Sequence, residues 1–235
     1  MNGVVGKIAA VFPFTWLDGV ALVWFAACWL GYMRYASWRK DRPRLASETD
    51  YYIREWMTCM VERDNRMVDV NVMRTLNRSS QFFASTTMVI LGALVAMMGY
   101  AEKAAGVLAE LPFAQLVSER AWEIKSLLLV LIFVYAFFKF SWSIRQFGLT
   151  SILVGAVHKP PEDVTKYERD IERLSAILAF ANTNFNNGLR AYYFGVAALA
   201  WFVHPVLMMI ISACIVYVLY QREFHSKTLY MLAAH

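Results

Sequence analysis

The chain has 235 residues, of which 59% are hydrophobic, 15% aromatic and 17% charged, with a net charge of +5 and a mean hydropathy of +0.41. Soluble domains run at about 45–50% apolar and about 25% charged, so both fractions here point away from water. The 11 Gly, 6 Pro and 3 Cys exclude a collagenous chain or a disulfide-stapled module, leaving an all-α integral membrane protein, read as a single membrane domain over 1–235.

A spanning helix needs about 20 mostly apolar residues, and four segments meet that requirement, at about 14–35, 82–100, 121–140 and 192–220. The first carries Trp16, Trp24 and Trp29. With a single Lys7 ahead of it and no small-residue cleavage site, it reads as a retained span and not a leader. The second holds Gly92 and Gly99, which would admit a close helix neighbour. The third is the most apolar. In the fourth, Pro205 follows His204 near the middle and predicts a kink. Trp38, Tyr100, Trp122, Tyr192 and Tyr220 stand where an interfacial aromatic belt belongs.

Arginine and lysine placement sets the expected orientation. The connection after the first span holds Arg39, Lys40, Arg42, Arg44, Arg54, Arg63, Arg66, Arg74 and Arg78. The one after the third holds Arg145, Lys159, Lys166, Arg169, Arg173 and Arg190, with Lys139 at the membrane exit, whereas the connection after the second holds only Lys103 and Arg120. The positive-inside rule places both long connections in the cytoplasm and both termini outside. The expected location is a bacterial inner membrane.

Both long connections read as helices, at about 50–80 and 162–190. Ile53, Trp56, Met57, Met60, Val61, Met67, Val68, Val72 and Leu76 recur at helical spacing, and no Pro or Gly interrupts residues 45–90, so one helix running on into the second span is expected. After Lys159-Pro160-Pro161, with Glu162 and Asp163 suited to a first helical turn, Val164, Tyr167, Ile171, Leu174, Leu178, Ala181 and Phe185 form a heptad seam. The expected partner of the seam is the other cytoplasmic helix; the acids Glu62, Asp64, Asp69, Glu168, Asp170 and Glu172 disfavour an anionic lipid face.

Ionisable residues at membrane depth are functional candidates. Asp18 lies one turn into the first span, and Glu123 and Lys125 lie at the outer end of the third, so either an Asp18–Lys125 pair forms or all three are hydrated at headgroup level. His204 is either a hydrogen-bonded histidine at a kink or a proton carrier. At the cytoplasmic mouth stand Ser85, Thr86 and Thr87 with Asp64, Arg66, Asp69, Arg74, Arg78, Gln81, Lys139, Arg145, Gln146, Asn182, Thr183, Asn184, Asn186, Asn187 and Arg190. They line a hydrated vestibule for an anion or headgroup, or they are interhelical hydrogen bonds and anchors, with Asp64 or Asp69 neutralising Arg145 or Lys139.

His158, His204, His225 and His235 lack i,i+4 pairing, a Met stripe at helical spacing reads as core, and no Walker loop, dinucleotide glycine pattern or nucleophile elbow occurs, so no metal, cofactor, nucleic acid or enzyme activity is expected. Cys28, Cys59 and Cys214 imply no pair.

Three stretches carry a resemblance. Arg63-Asp64-Asn65-Arg66-Met67-Val68-Asp69 precedes Phe82-Phe83-Ala84-Ser85-Thr86-Thr87 and Ile90-Leu91-Gly92. Phe138-Lys139-Phe140-Ser141-Trp142-Ser143-Ile144-Arg145-Gln146-Phe147 follows the third span. Ala198-Leu199-Ala200-Trp201-Phe202-Val203-His204-Pro205 marks the fourth, with Arg222-Glu223-Phe224 at its exit. Together they resemble the DUF599 family of uncharacterised multi-span membrane proteins. The resemblance implies an integral membrane protein and supplies no activity; it also implies Asn where this chain has His204, which weighs against a proton relay there. The expected architecture is a four-span bundle with long cytoplasmic helical extensions, assembled as a homo-oligomer. The expected function is a pore or carrier with a basic, amide-lined vestibule, or alternatively a non-catalytic accessory or scaffold subunit of a membrane complex.

Overall fold

The computed structural model describes residues 15–38, 44–99, 119–157 and 164–233. Among these every regular element is a helix: α1 (Trp16–Trp38), α2 (Leu45–Glu62), α3 (Met67–Met98), α4 (Glu119–Ala156), α5 (Val164–Ala200), α6 (Pro205–Phe224) and α7 (Lys227–Leu232). Among the described residues, four helical stretches are long and apolar enough to cross a membrane, Trp16–Ala36, Met67–Met98, Arg120–Ala156 and Pro205–Leu232. Lys7, Arg39, Lys40, Arg42, Tyr100, Lys103, His158, the Lys159-Pro160-Pro161 break with Glu162 and Asp163, and His235 lie outside the described residues.

The chain divides into two compact units. The first comprises Met1–Arg39, Val89–Val134 and Ala191–Leu219; the second comprises Lys40–Met88, Tyr135–Arg190 and Tyr220–His235.

In the first unit the expected fourth span is not one helix. α5 stops at Ala200 and α6 starts at Pro205. Between them the backbone tightens into i→i−3 bonds, from the Trp201 N–H to the Ala198 carbonyl at 3.2 Å and from the Phe202 N–H to the Leu199 carbonyl at 3.1 Å. The chain then reverses. Phe194 on α5 packs against Phe25 and Trp29 of α1, Trp201 reaches Asp18, and the Trp24 indole donates to the Met209 carbonyl of α6 at 3.2 Å. α5 therefore runs antiparallel to α1 and α6 parallel to it. Residue chemistry explains the reversal: Pro205 sits at the first helical position, where its missing N–H costs nothing. His204 precedes it as the N-cap, its Nδ1 accepting the Val206 N–H at 3.1 Å. The expected kink is a stop and a restart.

Small residues allow the close approach in this unit, but not those expected. A Cβ on Gly92 would meet nothing within 4 Å, whereas one on Gly195 of α5 would come within 3.1 Å of the Phe133 ring of α4. Gly92 is exposed, while α5 presents Ala191, Ala197 and Ala198 as a buried strip.

The second unit is a bundle built on the heptad seam. Ile171, Leu174, Leu178 and Ala181 of α5 share one core with Ile53, Met57, Met60 and Val61 of α2, Met73 of α3, and Phe147 and Val154 of α4. The packing of α5 on α2 follows the expectation. The contribution of α4 does not, because this helix continues to Ala156 where the third span was expected to end near residue 140. The Tyr167 hydroxyl donates to Glu62 at 3.1 Å across the seam.

The single helix expected from residue 45 to 90 is also broken, at residues 63–66. Polar side chains make this break without Pro or Gly. The Asn65 carboxamide oxygen accepts the Met67 N–H at 3.0 Å, an Asx turn that launches α3. The break shifts the helical phase, so Met67, Val68, Val72 and Leu76 are exposed while Met57 and Met60 are fully buried. Residues 220–233 also belong to this unit. The Ala46 N–H donates to Glu223, the Tyr52 hydroxyl donates to the Leu232 carbonyl, and Leu229 of α7 is buried. The tail and the connection after α1 thus pack together within one unit.

Candidate functional site

The strongest concentration of charge at low exposure lies in the first unit. Asp18 and Lys125 are 5% and 3% exposed, with Lys125 Nζ 3.9 Å from Asp18 Oδ1. They are buried within the protein and not hydrated. Asp18 is the third residue of α1, and its Oδ2 accepts the Thr15 N–H at 2.9 Å and the Thr15 hydroxyl at 2.6 Å. That is the reciprocal arm of a capping box. Its Oδ1 accepts the Trp201 indole N–H at 2.8 Å.

Lys125 makes its shortest contact elsewhere. Its ammonium donates to the Trp201 carbonyl at 2.9 Å and lies 5.2 Å from the Trp201 ring centroid. The Trp201 carbonyl is four residues before Pro205 and receives no N–H from it. The lysine supplies the missing donor, so the helix restart and the buried charge are one arrangement. That Pro205 frees the carbonyl one turn earlier, at Trp201, is legible in the sequence, with the His204 imidazole as its nearby candidate partner; what the sequence does not reveal is that the donor is Lys125 of another helix.

In the second unit the expected vestibule residues fall into separate groups. Asp69, 1% exposed, accepts from the Arg63 guanidinium at 2.6 Å and from the Trp56 indole at 2.7 Å, so its partner is neither Arg145 nor Lys139. Arg66 donates to the Val61 carbonyl at 3.2 Å, to Val154 at 2.8 Å and to Val157 at 2.6 Å, closing the C-terminal ends of α2 and α4. Lys139 donates to the Asn184 oxygen at 3.3 Å, and Asn184 donates to Gln146 at 3.0 Å. Arg190 donates to Asn187 at 3.1 Å and lies 3.5 Å from Glu223. Thr86 and Thr87 donate back to carbonyls of their own helix. Asp64, Arg74, Arg78 and Arg145 are exposed, and the last three enter none of these groups.

Outside the spans, burial raises the Asp50 carboxyl above its ordinary range, with Arg44 opposing and Glu223 adding to the shift. Among the described residues no three His, Cys, Asp or Glu side chains group to hold a metal ion, and the three cysteines are free.

The model of a family described as protein of unknown function, DUF599, matches residues 20–228. No curated protein matches the chain, and no solved structure matches it.

Proposed function

The chain belongs to the DUF599 family, and we propose that it is a non-catalytic membrane carrier or pore of a bacterial inner membrane, working at the Asp18–Lys125–Trp201 cluster. The observation that carries this reading is the buried Lys125 ammonium, held on a backbone carbonyl orphaned by Pro205 and paired at 3.9 Å with Asp18. Buried ionisable side chains in a bilayer are costly and mark pathways. Broken helices with unwound carbonyls are where carriers place their sites.

The topology that goes with this reading has five crossings. α1, α3, α4 and α6 cross, and the apolar end of α5 crosses as the other arm of the 201–204 hairpin. The basic residues of the second unit suit the cytoplasmic side. Residues 220–233, packed on α2, lie with that unit, and the N-terminal end of α1, the connection between α3 and α4 and the 201–204 turn lie outside. Trp16 and Trp38, 76% and 84% exposed at the two ends of α1, suit the interfacial belts. Much of each span is left uncovered by this chain, which suits lipid and a homo-oligomeric contact.

Purified protein reconstituted into liposomes tests the reading through ion and solute flux. Wild-type flux with loss in Lys125→Met and Asp18→Asn variants that remain folded supports it. A wild type without flux for any ion or small solute overturns it. A second reading, an accessory or scaffold subunit, is favoured by a specific observation: the Arg63–Asp69, Arg66, Lys139–Asn184 and Arg190–Glu223 groups all find partners within the chain. Co-purification of a stoichiometric foreign membrane subunit, joined to absent flux, would select that reading.

A further inference from the structure

The cluster in the first unit holds buried hydrogen-bond donors that have no acceptor. Besides Lys125, α4 contributes Trp122 and Ser126, at i and i+4 on the same buried strip, 4% and 0% exposed. The Trp122 indole N–H and the Ser126 hydroxyl are both buried without a hydrogen-bond partner. Trp122 packs edge-on against Phe202, centroids 4.7 Å apart, in the same turn whose Trp201 carbonyl holds the lysine. A lysine has three donors and no acceptor, and an indole has one donor and no acceptor. Orphaned buried donors of this kind are uncommon in native structures.

Asp18 does not accept from these donors. Its carboxylate is already served by three donors, the Thr15 N–H, the Thr15 hydroxyl and the Trp201 indole, which stabilise its charge independently of the lysine. At 3.9 Å the ammonium is beyond hydrogen-bond length from it. Lys125 is therefore a buried cation with donor capacity to spare, flanked along α4 by two further donors.

We infer that Lys125, Ser126 and Trp122 form a binding site for a small monovalent anion of the halide or nitrate class, seated beside the 201–204 turn. The anion accepts from the ammonium, the hydroxyl and the indole N–H, while the carboxylate of Asp18 keeps its own three donors. This inference rests on the carrier reading of the same cluster and names the class of ion it takes.

The test is a titration of the purified full chain with sodium chloride or sodium nitrate against sodium gluconate at constant ionic strength, following melting temperature and tryptophan fluorescence. Chloride or nitrate should raise the melting temperature saturably. Trp122→Phe, which keeps the ring and removes the donor, and Ser126→Ala should each weaken the anion by about tenfold, the effect of one hydrogen bond to a charged group, without loss of the folded state. Lys125→Met should abolish the response, and the two milder variants keep the test decisive if that one fails to fold. No ion-specific shift in the wild type overturns the inference, and so does full affinity in both Trp122→Phe and Ser126→Ala; either result would mean that the donors are served by water alone. Chloride flux measured in liposomes separates the two claims. Anion binding without flux of any ion or solute sinks the carrier reading and leaves the site. Flux of other species without anion binding sinks the site and leaves the carrier.

Discussion

Lys125 matters more as a hydrogen-bond donor than as a partner of Asp18. Its ammonium lies at 2.9 Å from a carbonyl and at 3.9 Å from the carboxylate, so Lys125→Met strands the Trp201 carbonyl and takes away the cation nearest a buried acid. Breaking a buried pair by removing one partner costs about 3–5 kcal/mol, and a loss of that order is expected from denaturation of the solubilised protein. Adding Asp18→Asn should recover part of it, and the double-variant cycle measures the coupling. Additive losses would show that the two residues act separately. Asp50 gives a prediction of opposite sign. Burial raises its carboxyl above the ordinary 3.8, so the native state binds its proton more readily than the unfolded state does. Its unfavourable contribution is present at neutral pH and is relieved as pH falls through the raised value. Asp50→Asn should be no less stable than the parent at pH 7, and its melting temperature should vary less with pH above 3.8. A clear loss of stability at pH 7 would mean that the Arg44 attraction outweighs burial. At this scale the sequence was partly legible. Asp18 and Lys125 were recognisable as charges at span ends, and their pairing was one of two open outcomes. The outcome is decided by Trp201, which bonds both groups from the turn after α5, and hydropathy reads that turn as the middle of a span.

Helices that are continuous in hydropathy but interrupted in structure separate what patterning reveals from what it hides. The seam from Tyr167 to Ala181 was legible because a heptad repeat needs only apolar spacing, and Leu174 lies in it at 1% exposure. Leu174→Asp should cost several kcal/mol, since it buries an unpaired charge, while the exposed Glu168→Ala should change stability by no more than about half a kcal/mol. Equal melting temperatures for the two variants would contradict the packed seam. Gly188 gives a sharper test, because a Cβ there would fall 2.6 Å from the Phe140 ring. That ring is itself stacked on Phe83 at 5.4 Å. Gly188→Ala should destabilise by about 1–3 kcal/mol, the usual cost of overpacking, and Gly92→Ala should be neutral or slightly stabilising in its helix. The breaks were harder to read. The 63–66 interruption depends on Asn65 and on Arg66 reaching three carbonyls from two helices, and those long-range partners leave no periodic trace. His204-Pro205 has one spelling for two structures, since a proline inside a helix kinks it and a proline at the first position starts one.

For the whole molecule, the direction of α6 decides the topology. Counting apolar stretches leads to four crossings and a tail outside, because residues 192–220 read as one span. The hairpin at 201–204 turns that stretch into two arms, and residues 220–233 pack on α2. On the proposed topology Arg222 and Lys227 join the basic side, in keeping with the positive-inside rule. The most direct test of this account is labelling with a membrane-impermeant thiol reagent added to intact cells, using single-cysteine variants. One retains the native, exposed Cys59 of α2, one carries Thr228→Cys in α7, and one carries Ala104→Cys in the connection between α3 and α4. The account predicts that Ala104→Cys is labelled at once, and that Cys59 and Thr228→Cys are labelled together only after the membrane is permeabilised. Labelling of Thr228→Cys in intact cells, with Cys59 still protected, would contradict the hairpin and restore a single fourth span.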